Sequence, residues 1–246
     1  MKHREQWKPG KFVYRRGRLA ASRDTTEVSV VSRLVTDLIA DRYHASLGKY
    51  ASGRLLDLGC GKVPLYGAYK SLVTDNTCVD WGNSIHDNPF LDQQCDLTQP
   101  LPFSDGEYNT VILSDVLEHI PEPGHLMGEI ARVLASGGTL IMNVPFMYWL
   151  HEEPYDYHRY TSFALRRLAE SAGLEVKELE PIGGALCVFT DIYAKNIIRL
   201  PLIGRALAVL AQWSTGKVIR TWYGRKLFNA TAKKFPLGYF MVAVKH

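Results

Sequence analysis

Leu55-Leu56-Asp57-Leu58-Gly59-Cys60-Gly61 decides the architecture of this 246-residue chain. The apolar residues at 55, 56 and 58 predict a short buried strand that carries an acid near its end. Gly59 and Gly61 then let the backbone turn sharply and approach a ligand with no Cβ in the way. A dinucleotide-binding loop would place a third glycine at position 64, where the backbone meets the pyrophosphate. Pro64 stands there instead, and Asp57 sets a negative charge just before the loop. This pair disfavours a pyrophosphate and suits a cationic ligand.

Outward from this loop, apolar strands alternate with helical patterns. Helical spacing of Val28, Val31, Leu34, Val35, Leu38 and Ile39 predicts a helix over residues 25–47. Strands are expected over 53–58, 74–79 (ending at Asp80), 91–95 (ending at Asp96), 108–113 and 139–144, with two later strands over 175–179 and 239–244. Between them lie helical stretches from Pro64 to about Lys70, over 116–120 and 126–134 (closed by Gly137-Gly138), and from a Thr161 cap to Ala172, stopped by Gly173. The alternation predicts an α/β fold with a mostly parallel sheet and helices on both faces. Residues 1–246 read as a single domain. It opens with a basic arm and helix over 1–48, and residues 185–230 form a helical insertion or lid before the last strand.

The net charge of +4 conceals an asymmetry. Residues 1–23 carry +7, residues 24–191 carry −13, and residues 192–246 carry +10 with no acid at all. An acidic body with two basic ends suits either electrostatic matching of the ends to the body or an anionic surface, such as a lipid headgroup, a pyrophosphate-linked substrate or nucleic acid. Residues 192–210 mix Ile and Leu with Lys195, Arg199 and Arg205, a composition that suits either core packing or an interfacial helix, and the second would bring peripheral membrane or anionic-lipid contact through 192–246. No signal-peptide pattern opens the sequence, and the four cysteines form no CxxC pair or disulfide framework. The expectations are a cytoplasmic location and no metal.

In open α/β sheets ligands bind beyond the carboxyl ends of the strands. Asp80 there can accept both hydroxyls of a ribose, Trp81 can stack on a base, and the carboxylate of Asp96, followed by Leu97, can accept an adenine amino group. Ser114-Asp115 ends the next strand. These residues in order, together with Leu-Pro-Phe-Ser-Asp-Gly-Glu-Tyr-Asn (101–109), Ser-Asp-Val-Leu-Glu-His-Ile (114–120) and Gly-Gly-Thr-Leu (137–140), resemble the type 11 class I methyltransferases over about residues 50–180. The resemblance implies a Rossmann-like seven-stranded sheet of order 3-2-1-4-5-7-6 with the last strand antiparallel. It also implies S-adenosylmethionine, whose sulfonium and ammonium groups answer the cationic ligand above, as cofactor. Asp57, Gly59, Cys60 and Gly61 would form the cofactor motif, Asp80 would take the ribose with Trp81 beside it on the base, Asp96 and Leu97 the adenine, and Ser114 would line the pocket.

Acceptor chemistry is expected in His151-Glu-Glu-Pro-Tyr-Asp-Tyr-His-Arg-Tyr-Thr161, a loop that follows the strand over 139–144. His151 or His158 could take a hydroxyl proton near neutral pH, and His119 is a third candidate. Glu152 or Asp156 could orient the imidazole, and Tyr155 and Arg159 are candidate substrate contacts. The alternative to Arg159 as an anion clamp is an ion pair with Asp156. The combined reading is methyl transfer to the oxygen of a small molecule, sugar or lipid-linked glycan. Nucleic acid is the disfavoured acceptor, because no Asn/Asp-Pro-Pro-Tyr/Phe motif follows the strand over 108–113. A protein that binds the cofactor without catalysis is the other alternative.

Overall fold

The glycine loop over 59–61 leaves the middle of a seven-stranded sheet. The computed structural model describes residues 1–82 and 88–246. In chain order its elements are β1 (Phe12–Arg15), β2 (Arg18–Ala21), α1 (Arg33–Tyr50), β3 (Arg54–Leu58), α2 (Tyr66–Tyr69), β4 (Asp75–Asp80), β5 (Gln93–Gln94), β6 (Tyr108–Ser114), α3 (Pro123–Val133), β7 (Leu134–Pro145), α4 (Ser162–Ser171), β8 (Leu174–Ile182), α5 (Ala185–Ile197), α6 (Gly204–Val218), α7 (Trp222–Ala232) and β9 (Gly238–Lys245). The large sheet runs β5-β4-β3-β6-β7-β9-β8. Counting only its own strands, that is the order 3-2-1-4-5-7-6, and β9 is antiparallel to both of its neighbours.

Alternation along each strand divides the core in two. Leu56, Leu58, Val111, Leu113, Leu140 and Met142 face one side, with α3 and α4 residues such as Ile130 and Leu165. Leu55, Cys78, Ile112, Ile141 and Phe240 face the other, with Tyr43 and Leu47 of α1 and Phe12 and Leu19 of the first hairpin. Burying both faces is what a parallel sheet requires. The parallel register aligns Leu58 with Val79 and Leu113, and Ser114 with Asn143. The carboxyl ends of β3, β4, β6 and β7 therefore form one edge, from which the functional loops rise.

Several boundaries differ from expectation. The first long helix begins at Arg33, not at Thr25. Asp24 Oδ1 accepts from the amide and hydroxyl of Thr26 and holds a turn there, a local bond that competes with helix. The helix start is capped from a distance: Gln212 Oε1 of α6 accepts from Leu34 N at 2.7 Å while its amide donates to Val31 O. The basic arm contains the β1–β2 hairpin, turned at Arg16 and Gly17 with φ 52° and 76°. Positive φ at both central residues matches the twist of a tight hairpin. The Gly137-Gly138 pair sits inside the irregular start of β7 and does not stop the helix before it. Residues 185–230 are covered by α5, α6 and α7.

Candidate active site

The two glycines after β3 have separate duties. Both take positive φ, 66° at Gly59 and 48° at Gly61. A Cβ on Gly59 would lie 2.5 Å from Val116 Cγ2, so this glycine allows close packing against the loop after β6. A Cβ on Gly61 would meet nothing within 4 Å among the described residues, so its backbone faces open space there. The Cys60 side chain is buried beneath the loop, where Sγ accepts from Asn88 at 3.4 Å, so Cys60 offers the cleft backbone only.

Asp57 is buried, and Tyr69 donates its hydroxyl to Oδ2 at 3.2 Å. Burial pushes the Asp57 carboxyl up to about 7, against the Tyr69 hydrogen bond and aided by the charge of Asp80. Asp80 accepts from the Gly61 amide at 2.9 Å and the Trp81 amide at 2.8 Å, which fixes the carboxylate over the loop. Asp96 is exposed and accepts both the amide and hydroxyl of Thr98 on Oδ1, whereas Leu97 belongs to the core. These carboxylates at successive strand ends, beside an open Gly61, fit a cationic nucleoside such as S-adenosylmethionine. Asp57, Gly59 and Gly61 would hold its charged end and Asp80 its ribose.

On the β6–β7 side, Ser114 Oγ and Tyr43 Oη both donate to Asn143 Oδ1, at 2.9 and 2.8 Å. The Asn143 amide donates to Asp115, which also takes Lys11 Nζ at 2.9 Å and has φ 54°. A cavity of about 290 Å³ opens beside this network, lined by Lys11, Asp115, Asn143, Tyr148, His151 and Glu152 among others. The loop over 146–161 covers it and reaches back to the cofactor side, where Tyr155 meets Trp81 edge-to-face at 5.0 Å. The ring that follows β4 and a ring of the loop over 146–161 thus meet.

Beneath that loop lies a buried carboxylate. Glu118 is 0% exposed, and neither carboxylate oxygen has a hydrogen-bond partner among the described residues. His151 Nε2 and His119 Nε2 each lie 3.8 Å from Oε1. Asp156 Oδ2 approaches His151 on the other side, 3.3 Å from Nδ1. Burial alone would lower the His151 pKa, but Glu118 and Asp156 outweigh it and the net shift is upward. Burial, together with the charge of Asp115, raises the Glu118 carboxyl against the opposing His151. Asp156 is pinned in turn by Arg159, at 2.5 and 2.7 Å, and is held well below the usual carboxylate range.

The structure thus brings His151, His119, Glu152 and Asp156 together and leaves two candidates apart. Arg159 is committed to Asp156 and to the carbonyls of Trp149 and His158, so the ion-pair alternative replaces the substrate clamp. His158 bonds through Nε2 to Pro121 O, outside the cluster. His119 is held through Nδ1 by Tyr155 O and does not line the cavity. The sequence reading gave no role to Glu118, Asn143, Tyr43 or Lys11. A lone Asn within Ile-Met-Asn-Val was the available signal for Asn143, and Lys11 had none. Glu118, His119 and His151 also bring one carboxylate oxygen and two imidazole nitrogens within 4.8 Å of one another, atom types that can hold a divalent cation.

A family described as methyltransferase domain matches residues 31–179. The chain belongs to this family and has the class I, S-adenosylmethionine-dependent methyltransferase fold. Among curated proteins it is similar to an uncharacterized 37.1 kDa protein in transposon TN4556 of Streptomyces fradiae, 27% identical over an alignment of 144 residues that covers 52% of this chain and 42% of that one. The chain spans less than half the length of the curated relatives it matches. Among solved structures it is similar to the cyclase SpnF, with 20% identity, TM-score 0.52, and 85% of this chain and 82% of that chain covered. A phosphoethanolamine N-methyltransferase 2 of Haemonchus contortus in complex with S-adenosyl-L-methionine gives 15% identity and TM-score 0.53, over 91% of this chain and 58% of that chain. At such identities the likeness is one of fold.

Proposed function

We propose that the protein transfers a methyl group from S-adenosylmethionine to a hydroxyl oxygen of a small molecule or glycan, with His151 as general base. One observation carries this reading: His151 lines the acceptor cavity while its ring sits between two carboxylates, Asp156 behind Nδ1 and Glu118 near Nε2. When bound, S-adenosylmethionine would supply a methyl group activated by its positive sulfur, the C–S bond breaking as the acceptor oxygen bonds the methyl carbon and S-adenosylhomocysteine leaves. The chain's own work is positioning and proton handling, and correct positioning is a large share of such catalysis. A hydroxyl loses its proton as its oxygen is methylated, and the proton passes to His151 Nε2. Among the described residues no hydrogen bond occupies that nitrogen, since Glu118 stands 3.8 Å off. The resulting imidazolium is stabilised by both carboxylates, and Arg159 keeps Asp156 ionised for this purpose.

Residues 185–230 serve as a lid on the acceptor side in this reading. Lys195 of α5 pairs with Asp191 at 2.6 Å and lies 3.4 Å over the Tyr148 ring, which lines the cavity. A turnover screen tests the proposal: sugars, lipid-linked sugars, phenols, amines and RNA are offered, and release of S-adenosylhomocysteine is measured. The expected result is release with a hydroxylated non-nucleic-acid acceptor. Release only with amines or RNA would contradict it, and none across the panel would favour a protein that holds the cofactor without methylating.

A further inference from the structure

The two basic ends of the chain meet in space, away from the acceptor cavity. A groove of about 710 Å³ runs between the β1–β2 hairpin, α1, α6 and α7. Its cationic lining comes from Arg15, Arg23, Arg33, Lys217, Arg220 and Arg225, and its apolar floor includes Leu34, Val209, Trp213 and Phe228. A second depression of about 370 Å³ shares Arg15, Arg23 and Arg220 and adds Arg16 and Arg18. The acids lining both are Asp37 and Asp41, already paired with Arg23 at 2.9 Å and Arg18 at 3.1 Å. Arg15, Arg33, Lys217, Arg220 and Arg225 have no acidic partner among the described residues, and Arg33 Nε is buried without a hydrogen bond. Cations crowded together without counter-charge repel one another, so the groove favours an anion.

Apolar exposure on the same helices narrows the kind of anion. Val209, Trp213 and Lys217 fall on one line of α6 at four-residue spacing, and Arg205 begins it. Leu202, just before α6, is 102% exposed and Trp213 is 60% exposed. Trp222 and Tyr223, which open α7 between Arg220 and Arg225, are exposed as well. A soluble polyanion or RNA backbone would satisfy the arginines and leave these side chains in water. A bilayer surface satisfies both, because phosphates meet the cations while Trp, Tyr and Leu enter the headgroup–acyl boundary. Among the described residues no helix is long and apolar enough to cross a membrane, so contact of this kind lies on the surface.

We infer that the groove and the outer faces of α6 and α7 form a docking surface for an anionic phospholipid bilayer. The inference is independent of methyl transfer, because vesicle binding is read without turnover. Flotation with vesicles of phosphatidylcholine alone, and of phosphatidylcholine mixed with phosphatidylglycerol, tests it. The wild-type protein is expected to float with the mixed vesicles at low salt, far less at high salt, and not with phosphatidylcholine alone. Each Lys or Arg near an anionic leaflet strengthens binding about fivefold, so Arg220→Glu with Arg225→Glu should weaken it at least ~25-fold. Trp213→Ala with Leu202→Ser should weaken it several-fold and leave the salt dependence in place. In both variants S-adenosylhomocysteine affinity and the thermal midpoint should match wild type, since these residues lie outside the cofactor cleft. Absence of wild-type flotation on mixed vesicles, or equal flotation on both compositions, overturns the inference without any variant. So does displacement by inorganic pyrophosphate or RNA combined with indifference to Trp213→Ala and Leu202→Ser, which would mark a soluble-anion site.

Discussion

The two halves of the cleft handle buried charge in opposite ways. On the β3–β4 side, Asp57 and Asp80 accept hydrogen bonds from Tyr69 and from the amides of Gly61 and Trp81, so the cradle is set before any ligand arrives. On the β6–β7 side, Glu118 is buried with no hydrogen bond to either oxygen among the described residues, facing two imidazoles at ion-pair distance. A hydrogen-bonded carboxylate orients and holds. An unpartnered one in a low-dielectric pocket raises the basicity of its neighbours, which suits proton transfer. We propose binding for the first half and chemistry for the second.

That division can be broken most sharply at His151. In a His151→Ala protein, turnover with the hydroxyl acceptor should fall by about 10²–10⁴-fold, the usual worth of a general base, with Michaelis behaviour toward the cofactor unchanged. The same assay probes the cation alternative. Turnover should survive chelator treatment, and loss that is restored by a divalent metal would reassign Glu118, His119 and His151 as ligands. Next in size, Asp80→Ala should weaken cofactor binding by about 1–3 kcal/mol, as for a lost charge-assisted hydrogen bond. Titration calorimetry would report it.

A third test uses pH on the binding half. The Asp57 carboxyl, raised to about 7, is largely protonated at pH 6 and ionised at pH 8. A cationic ligand prefers the ionised form, so affinity for S-adenosylmethionine should rise about tenfold over that interval. Asp57→Asn should flatten the dependence. The smallest effect concerns the catalytic half. His151 must be neutral to act as base and its pKa is raised, so activity should fall as pH drops through a value above 6.5. Removing one carboxylate with Asp156→Asn should move that limb to lower pH, visible in a rate profile against pH.

The same contrast explains what could be read from the residues. Asp57, Gly59, Gly61 and Asp80 lie within one βαβ stretch, where strand period, glycine and strand-end acid occur in a fixed order, so both fold and cradle were legible. The acceptor half is assembled from Lys11, Asp115, Glu118, Asn143 and His151, and its pairings cross more than 100 positions in the case of Lys11 and Asp115. Residue type suggested His151 and Asp156, but Arg159 looked as suited to a substrate as to the carboxylate three residues before it. Only packing distinguishes the two. The start of α1 was misplaced for a related reason: its cap is Gln212, 178 residues away from Leu34, and no local pattern can announce such a partner. The β1–β2 hairpin was hidden by an Arg-Gly turn, which lacks the usual Asn-Gly or Asp-Gly signature.

Titration of S-adenosylhomocysteine into the wild-type, Asp80→Ala and His151→Ala proteins tests the division of the cleft most directly. Saturable binding to the wild type, clear weakening in Asp80→Ala and wild-type affinity in His151→Ala are predicted. Binding that is indifferent to Asp80→Ala but lost in His151→Ala, or no binding to the wild type at all, would contradict it.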